Sequence, residues 1–107
     1  MTPNTQKALL PILPLTTDEF SVTATAAELT SGGDTFGKLY GGKVVTIWPS
    51  TGTCYIAAEY GSSSAPSDAD TEDFDFDGKV DFYVKPSARV SAVGSEALTL
   101  YVTVTSE

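Results

Sequence analysis

The sequence predicts a single small all-β domain, a β-sandwich or jelly-roll-like fold of about seven to eight antiparallel strands with an extended N-terminal arm. Three observations predict it. Apolar residues recur with a period of two along most of the chain, turn residues separate these segments at roughly regular spacing, and 107 residues suit one domain. Because no internal repeat is visible, we divide the chain into an arm, residues 1–17, and a sandwich, residues 18–107.

The N-terminal arm is predicted to be extended because Pro3, Pro11 and Pro14 oppose both a helix and a central strand. Five large apolar side chains of the arm would be costly to leave in water, and they are the candidate partner-binding residues: Leu9, Leu10, Ile12, Leu13 and Leu15. Two placements are open at this point. The arm either packs along its own sandwich or reaches onto another subunit.

The first half of the sandwich alternates strand segments with turns. Phe20, Val22, Ala24 and Ala26 are predicted to share one face of the first strand. Further strands are expected at 35–40, 43–48 and 54–60, with turns at 31–34, 41–42 and 50–53. Residues 25–31 are the only stretch in which the pattern allows a helical turn.

The second half begins with a loop of Gly, Ser and Pro residues at 61–70, followed by a half-buried strand over 74–84 that is broken at Gly78. Apolar residues of this strand fall on even positions: Phe74, Phe76, Val80, Phe82 and Val84. Charged residues fall on odd positions: Asp73, Asp75, Asp77, Lys79, Asp81 and Lys85. The last two strands are expected at 89–93 and 98–105, and Leu98, Leu100, Val102 and Val104 are predicted to point inward.

Composition excludes several functions. The net charge of −8, from 14 acidic and six basic residues, disfavours nucleic acid and anionic membranes as partners. Histidine is absent, and so are the G-x-S-x-G and phosphate-loop motifs, so we predict a protein that is not an enzyme and needs no cofactor. Cys54 is the single cysteine, which excludes an intramolecular disulfide and favours a buried structural thiol.

Residues 73–78 read D-F-D-F-D-G, which matches the first half of a calcium loop. The acidic ligand expected at the twelfth position would be residue 84, which is Val84. Strand geometry would also point the three aspartates outward in a row. Weak cation binding by Asp73, Asp75 and Asp77 is therefore one candidate function of this segment. The simpler interpretation is a solvated acidic face, and no specific metal site is predicted.

Three segments carry a resemblance to a known family. They read W-P-S-T-G-T-C-Y-I-A at 48–57, D-G-K-V-D-F-Y-V-K at 77–85 and A-R-V-S-A-V-G-S-E-A-L-T-L-Y-V-T at 88–103. Over residues 43–105 this pattern resembles small structural virion proteins of tailed bacteriophages, especially capsid decoration (cement) proteins.

The resemblance implies a non-enzymatic protein that binds the outside of an assembled head and stabilises the shell. The implied partner is the major capsid protein, and the implied state is a homo-oligomer, a dimer or a trimer. The implied location is the virion surface, after synthesis in the host cytoplasm. Two alternatives are kept: a tail or neck component of the phage, and a small carbohydrate- or calcium-dependent binding module that uses Trp48, the tyrosines or the aspartates.

Overall fold

The computed structural model describes residues 17–61 and 66–106, and these residues contain ten strands and one short helix. In chain order they are β1 Thr17–Val22, β2 Ala27–Glu28, β3 Thr30–Ser31, β4 Asp34–Thr35, α1 Phe36–Tyr40, β5 Val44–Pro49, β6 Cys54–Glu59, β7 Phe74–Phe76, β8 Val80–Tyr83, β9 Arg89–Gly94 and β10 Leu98–Ser106. The predicted partner-binding residues of the arm lie outside the described residues.

Eight of the strands form two four-stranded antiparallel sheets. Sheet A has the order β1-β10-β5-β8 and sheet B the order β2-β9-β6-β7, while β3 and β4 pair as a separate small ribbon. Numbered along the chain, the eight sandwich strands are ordered 1-8-3-6 and 2-7-4-5, which is the strand order of a jelly roll. The prediction of an all-β sandwich is confirmed.

The core lies between the two sheets, on the strand faces that the period-two alternation of apolar residues predicts to be buried. In sheet A, Val45, Ile47, Leu100 and Val102 of the central strands β5 and β10 point inward and are fully buried. Their outward neighbours on both strands are mostly Thr and aromatic residues. Because each buried aliphatic side chain contributes about 1.5–3 kcal/mol, the alternation holds the two sheets together.

The predicted strand over 35–40 is wrong, since residues 36–40 form the helix α1. Thr35 caps this helix by accepting a hydrogen bond from the Lys38 N–H through its hydroxyl. Phe36 and Tyr40, four residues apart, lie on one helical face and are buried together.

The helical turn predicted over 25–31 is also wrong, because this stretch holds β2 and β3. β2 pairs antiparallel with β9 and not with its sequence neighbour β3. The pairing is reinforced by a bidentate ion pair in which the Arg89 guanidinium donates to both Glu28 carboxylate oxygens at 2.7 and 2.9 Å.

Two further details differ from the sequence predictions. β1 ends at Val22, and Ala24 is exposed because Thr23 turns the chain, so Ala24 and Ala26 do not continue the inward face of Phe20. The break predicted at Gly78 is present, and it is a change of sheet: β7 belongs to sheet B and β8 to sheet A.

Candidate protein-binding groove

An apolar cavity opens at the edge of the sandwich where β7 and β8, the outermost strands of the two sheets, face each other. Its volume is about 240 Å³. Sheet A contributes Ile47 and Phe82 to its walls, sheet B contributes Ile56, Phe74 and Val90, and Val84 adds to them just after the end of β8. The Phe74 and Phe82 rings meet edge to face across the sheets, 5.3 Å between centroids. We call this cavity, with its rim residues Tyr60 and Tyr83, the edge groove.

Exposed aromatic side chains concentrate at the edge groove. Among the described residues, the large hydrophobic side chains left exposed are Tyr60 (53%), Phe74 (51%) and Tyr83 (60%), and all three line this groove. Scattered exposed apolar residues are ordinary, whereas exposed apolar residues gathered at one cavity mark interaction sites. The groove is therefore the candidate binding site of the described part of the chain.

The groove wall is built for apolar contact. The described residues that line it carry no carboxylate, thiol or amine, and the tyrosine hydroxyls are their ionisable groups. At the rim the Lys85 ammonium lies 4.8 Å from the centroid of the Tyr60 ring, a cation–π contact. Next to Tyr60 in the chain, a hydrogen bond from the Ser67 N–H lowers the pKa of the half-buried Glu59 carboxyl. Glu59 is not among the residues that line the groove.

The structure does not gather the three candidate cation ligands. Asp73 accepts a hydrogen bond from the Asp70 N–H at 2.9 Å, which closes a local turn, while Asp75 lies in β7 opposite Tyr55. Asp77 follows the end of β7. No group of three His, Cys, Asp or Glu side chains that could hold a metal ion occurs within 17–61 and 66–106. Weak cation binding stays a prediction for calorimetry to test.

The aromatic pair considered for sugar binding lies on the outer face of sheet A. Trp48 and Tyr101 are directly opposite each other on β5 and β10, with ring centroids 5.5 Å apart and stacked planes. The Lys79 ammonium lies over the Trp48 ring, 4.7 Å from its centroid. Because an ammonium group covers that ring face, the pair offers a sugar less surface than an open platform would.

Two buried titratable side chains are held in their neutral forms. Burial raises the pKa of the Cys54 thiol to about 11. Burial, and then the hydrogen bond that the Tyr40 hydroxyl donates to the Asp18 carboxylate at 2.6 Å, raise the pKa of Tyr40. Both groups serve the core, and neither lines the groove.

We expect the Cys54 thiol to react with a thiol reagent at pH 8 far more slowly in the folded protein than in denaturant. The folded pKa of about 11 exceeds the reference value of 9.0, so the thiolate is scarce at pH 8 and is also inaccessible. The preference for the neutral thiol stabilises the fold fully below pH 9 and is lost as the pH rises through 11. Equal reaction rates with and without denaturant would contradict a buried thiol.

Sequence reasoning missed the groove, although one signal was present. Tyr83 is an aromatic residue on the odd, otherwise charged face of the predicted strand over 74–84. Tyr60, at the end of β6, carried no comparable signal. The groove itself depends on two edge strands from different sheets meeting at one side of the sandwich, which periodicity within a single strand does not reveal.

Comparison of the chain with protein-family models, with curated proteins and with solved structures found no match. Within the described part of the chain, no helix is long and apolar enough to cross a membrane. The edge groove, the jelly-roll topology and the sequence pattern are therefore the basis for a functional proposal.

Proposed function

We propose that this protein is a non-enzymatic structural virion protein that binds the outer surface of an assembled phage head and stabilises the shell, with the major capsid protein as its partner. The observation that carries the proposal is the convergence of Tyr60, Phe74 and Tyr83 on one apolar groove at the edge of a jelly roll. The sequence resemblance over residues 43–105 to capsid decoration proteins is the reason for proposing a phage head as the binding partner. Jelly rolls are common in viral capsid domains, which agrees with it.

Binding, and not catalysis, is the chemistry that the groove supports. General acid–base catalysis needs a titratable group within reach of the reacting atoms, and the described groove wall offers apolar surface and tyrosine hydroxyls. Covering a half-exposed aromatic ring on binding gains on the order of 1 kcal/mol or more from the area removed from water. Several copies on one shell would add avidity to such modest single contacts.

The net charge favours a protein partner over other polymers. At −8 the chain would be repelled by nucleic acid and by anionic lipid, whereas an apolar groove on an acidic chain is compatible with a protein surface. The acidic residues 73, 75 and 77 also discourage unwanted pairing along the short edge strand β7, which suits a protein crowded on a shell.

Co-sedimentation with purified phage heads, assembled from a candidate major capsid protein without this chain, tests the proposal. We expect the full chain to pellet with heads and the variants Phe74→Glu and Tyr83→Glu to bind at least tenfold more weakly, because a carboxylate at the rim opposes desolvation. The matched control is Ser21→Glu, which adds the same charge at an exposed site on β1, at the opposite edge of sheet A.

Three results would contradict the proposal. Failure of the full chain to pellet with heads removes the capsid as partner, and pelleting with purified tails alone supports the tail or neck alternative. Binding to a glycan array or to calcium, with heads left unbound, supports the binding-module alternative. Equal weakening by Ser21→Glu would mean that net charge, and not the groove, governs attachment.

A further inference from the structure

We infer that a cleft on the outer face of sheet B binds a neutral saccharide of the size of a mono- or disaccharide. The inference goes beyond the proposed function, because it gives the chain a second binding site of different chemistry. This cleft and the edge groove share no lining residue. The cleft combines an apolar, aromatic floor with hydroxyl and carboxylate groups on its walls.

Strand alternation creates the floor of the cleft. In β6, Cys54 is buried in the core and Ile56 packs against it, so Tyr55 between them points to the outer face of sheet B. Val93 of β9 lies directly opposite Tyr55. Both side chains are partly exposed and line the space above them, whose volume is about 540 Å³. We call this space the sheet-B cleft.

One wall of the sheet-B cleft is the loop over residues 68–71, and hydrogen bonds hold it against the sheet. The Ala69 N–H donates at 3.0 Å to the Ser91 hydroxyl, which belongs to β9 and is only 1% exposed. The Asp70 N–H donates to the Asp73 carboxylate at 2.9 Å, and the Asp73 N–H donates to the Asp70 carbonyl at 3.0 Å. The wall therefore has a defined position and shape.

The opposite wall is also held in place. It is formed by Ala24 and Ala26, between β1 and β2, and by Gly94 and Ser95 at the end of β9. The Gly94 N–H donates to the Thr23 carbonyl at 2.8 Å, which joins the two parts of this wall. Because both walls are fixed before any ligand enters, the cleft is preformed, and binding requires little ordering of the protein.

Polar groups on the lining are available to a ligand. Within residues 17–61 and 66–106, the Tyr55 hydroxyl, the Asp68 carboxylate and the Thr71 hydroxyl have no hydrogen-bond partner. The Ser95 hydroxyl accepts a hydrogen bond from the Thr53 N–H at 3.0 Å and can still donate its own proton. The cleft thus offers hydroxyl donors and a carboxylate acceptor around one apolar floor.

This combination favours a neutral polyhydroxyl ligand over a charged one. An ammonium or guanidinium group has no acceptor for the protons of the Tyr55, Thr71 and Ser95 hydroxyls. A fully ionised phosphate or carboxylate has no donor for Asp68 and Asp70, and their negative charges would repel it.

A sugar satisfies both parts of the lining. Each sugar hydroxyl can donate and accept, and the C–H faces of a sugar ring can cover the apolar floor that Tyr55 and Val93 provide. The volume of about 540 Å³ lies within the roughly 300–1,000 Å³ of typical small-molecule pockets.

Binding of the full chain to an array of neutral and acidic glycans, followed by amide NMR titration with the best neutral glycan, tests the inference. We expect neutral glycans to bind and to shift the Tyr55, Thr71 and Val93 amide signals. Tyr55→Ala should weaken binding by about tenfold or more, because the ring covers the sugar. Asp68→Ala should weaken it by about tenfold through loss of a charged acceptor. Asp68 is exposed and unpaired, so this variant should fold normally.

Tyr101→Ala is the matched control, because it removes the same atoms from the outer face of sheet A, where Tyr101 stacks on Trp48. It should leave glycan binding unchanged. Weaker binding by Tyr101→Ala, with Tyr55→Ala and Asp68→Ala binding normally, overturns the assignment to the sheet-B cleft. An array on which no glycan binds, or on which acidic glycans are preferred, overturns the saccharide.

The same variants separate this inference from the proposed function. Phe74→Glu should lose head binding and keep glycan binding, whereas Tyr55→Ala should do the reverse. If heads are bound and no glycan is, the proposed function stands and this inference fails. If Tyr55→Ala loses glycans while the full chain never binds heads, the cleft stands and capsid attachment fails. Loss of both activities in Phe74→Glu contradicts two separate sites.

Discussion

Replacing Phe36 with alanine is expected to lower the free energy of unfolding by about 3–5 kcal/mol. The side chain is only 5% exposed, and its ring lies 4.8 Å from that of Tyr40 and 6.1 Å from that of Phe20, measured between centroids. It attaches α1 to β1 and also lines the deep end of the edge groove. Truncation removes the buried area and leaves a cavity, and urea titration followed by tryptophan fluorescence measures the loss.

A matched truncation separates this effect from the general loss of an aromatic ring. Phe74→Ala removes the same atoms from a site that is 51% exposed, so its cost should be nearer 1 kcal/mol. Equal costs for the two variants would mean that Phe36 does not hold α1 to the sandwich. Phe36→Leu, which keeps most of the volume, should fall between them.

The strands that the sequence predicted well are those with one face buried and the other solvated. In β10 the inward Leu98, Leu100 and Val102 alternate with outward Thr and Tyr residues, and in β5 burial alternates although Val44 and Trp48 on the outer face are also apolar, because the core face and the outer face of sheet A impose that period. The break at Gly78 was also predictable, since a glycine between two alternating runs marks a bend. At this break the chain passes from one sheet to the other, because β7 pairs with β6 and β8 pairs with β5. No local sequence pattern encodes this pairing.

The helix α1 was missed because it is only five residues long, too short for a helical period to appear. Phe36, Leu39 and Tyr40 are β-formers or neutral, so composition favoured a strand. A signal was available: Thr35 precedes apolar residues at relative positions one, four and five, which is an N-cap followed by one helical face. Docking of that face over the sandwich end decides the conformation, and docking is a tertiary effect.

Gly37→Ala is expected to destabilise the fold by about 2–3 kcal/mol, although alanine is the better helix former. A Cβ at this position would lie 2.5 Å from the Pro86 carbonyl oxygen and 2.6 Å from the Ala88 nitrogen. Both contacts are to backbone, so no side-chain rotation relieves them. The hydrogen bond from Gly37 to Ala88 would also lengthen as α1 moves outward. Thermal and urea unfolding measure the change.

Gly78→Ala is the matched control, because a Cβ there meets nothing within 4 Å and the backbone needs no left-handed conformation. It should be neutral or slightly stabilising, by up to about 1 kcal/mol. Ala88 lines the edge groove, so the displacement caused by Gly37→Ala should also weaken head binding through the groove, whereas Gly78→Ala should not. If the two variants unfold at the same urea concentration, α1 is not closely docked, and its link to the groove is refuted. If Gly37→Ala alone loses both stability and head binding, packing at the sandwich end and binding at its edge are one coupled feature of this fold.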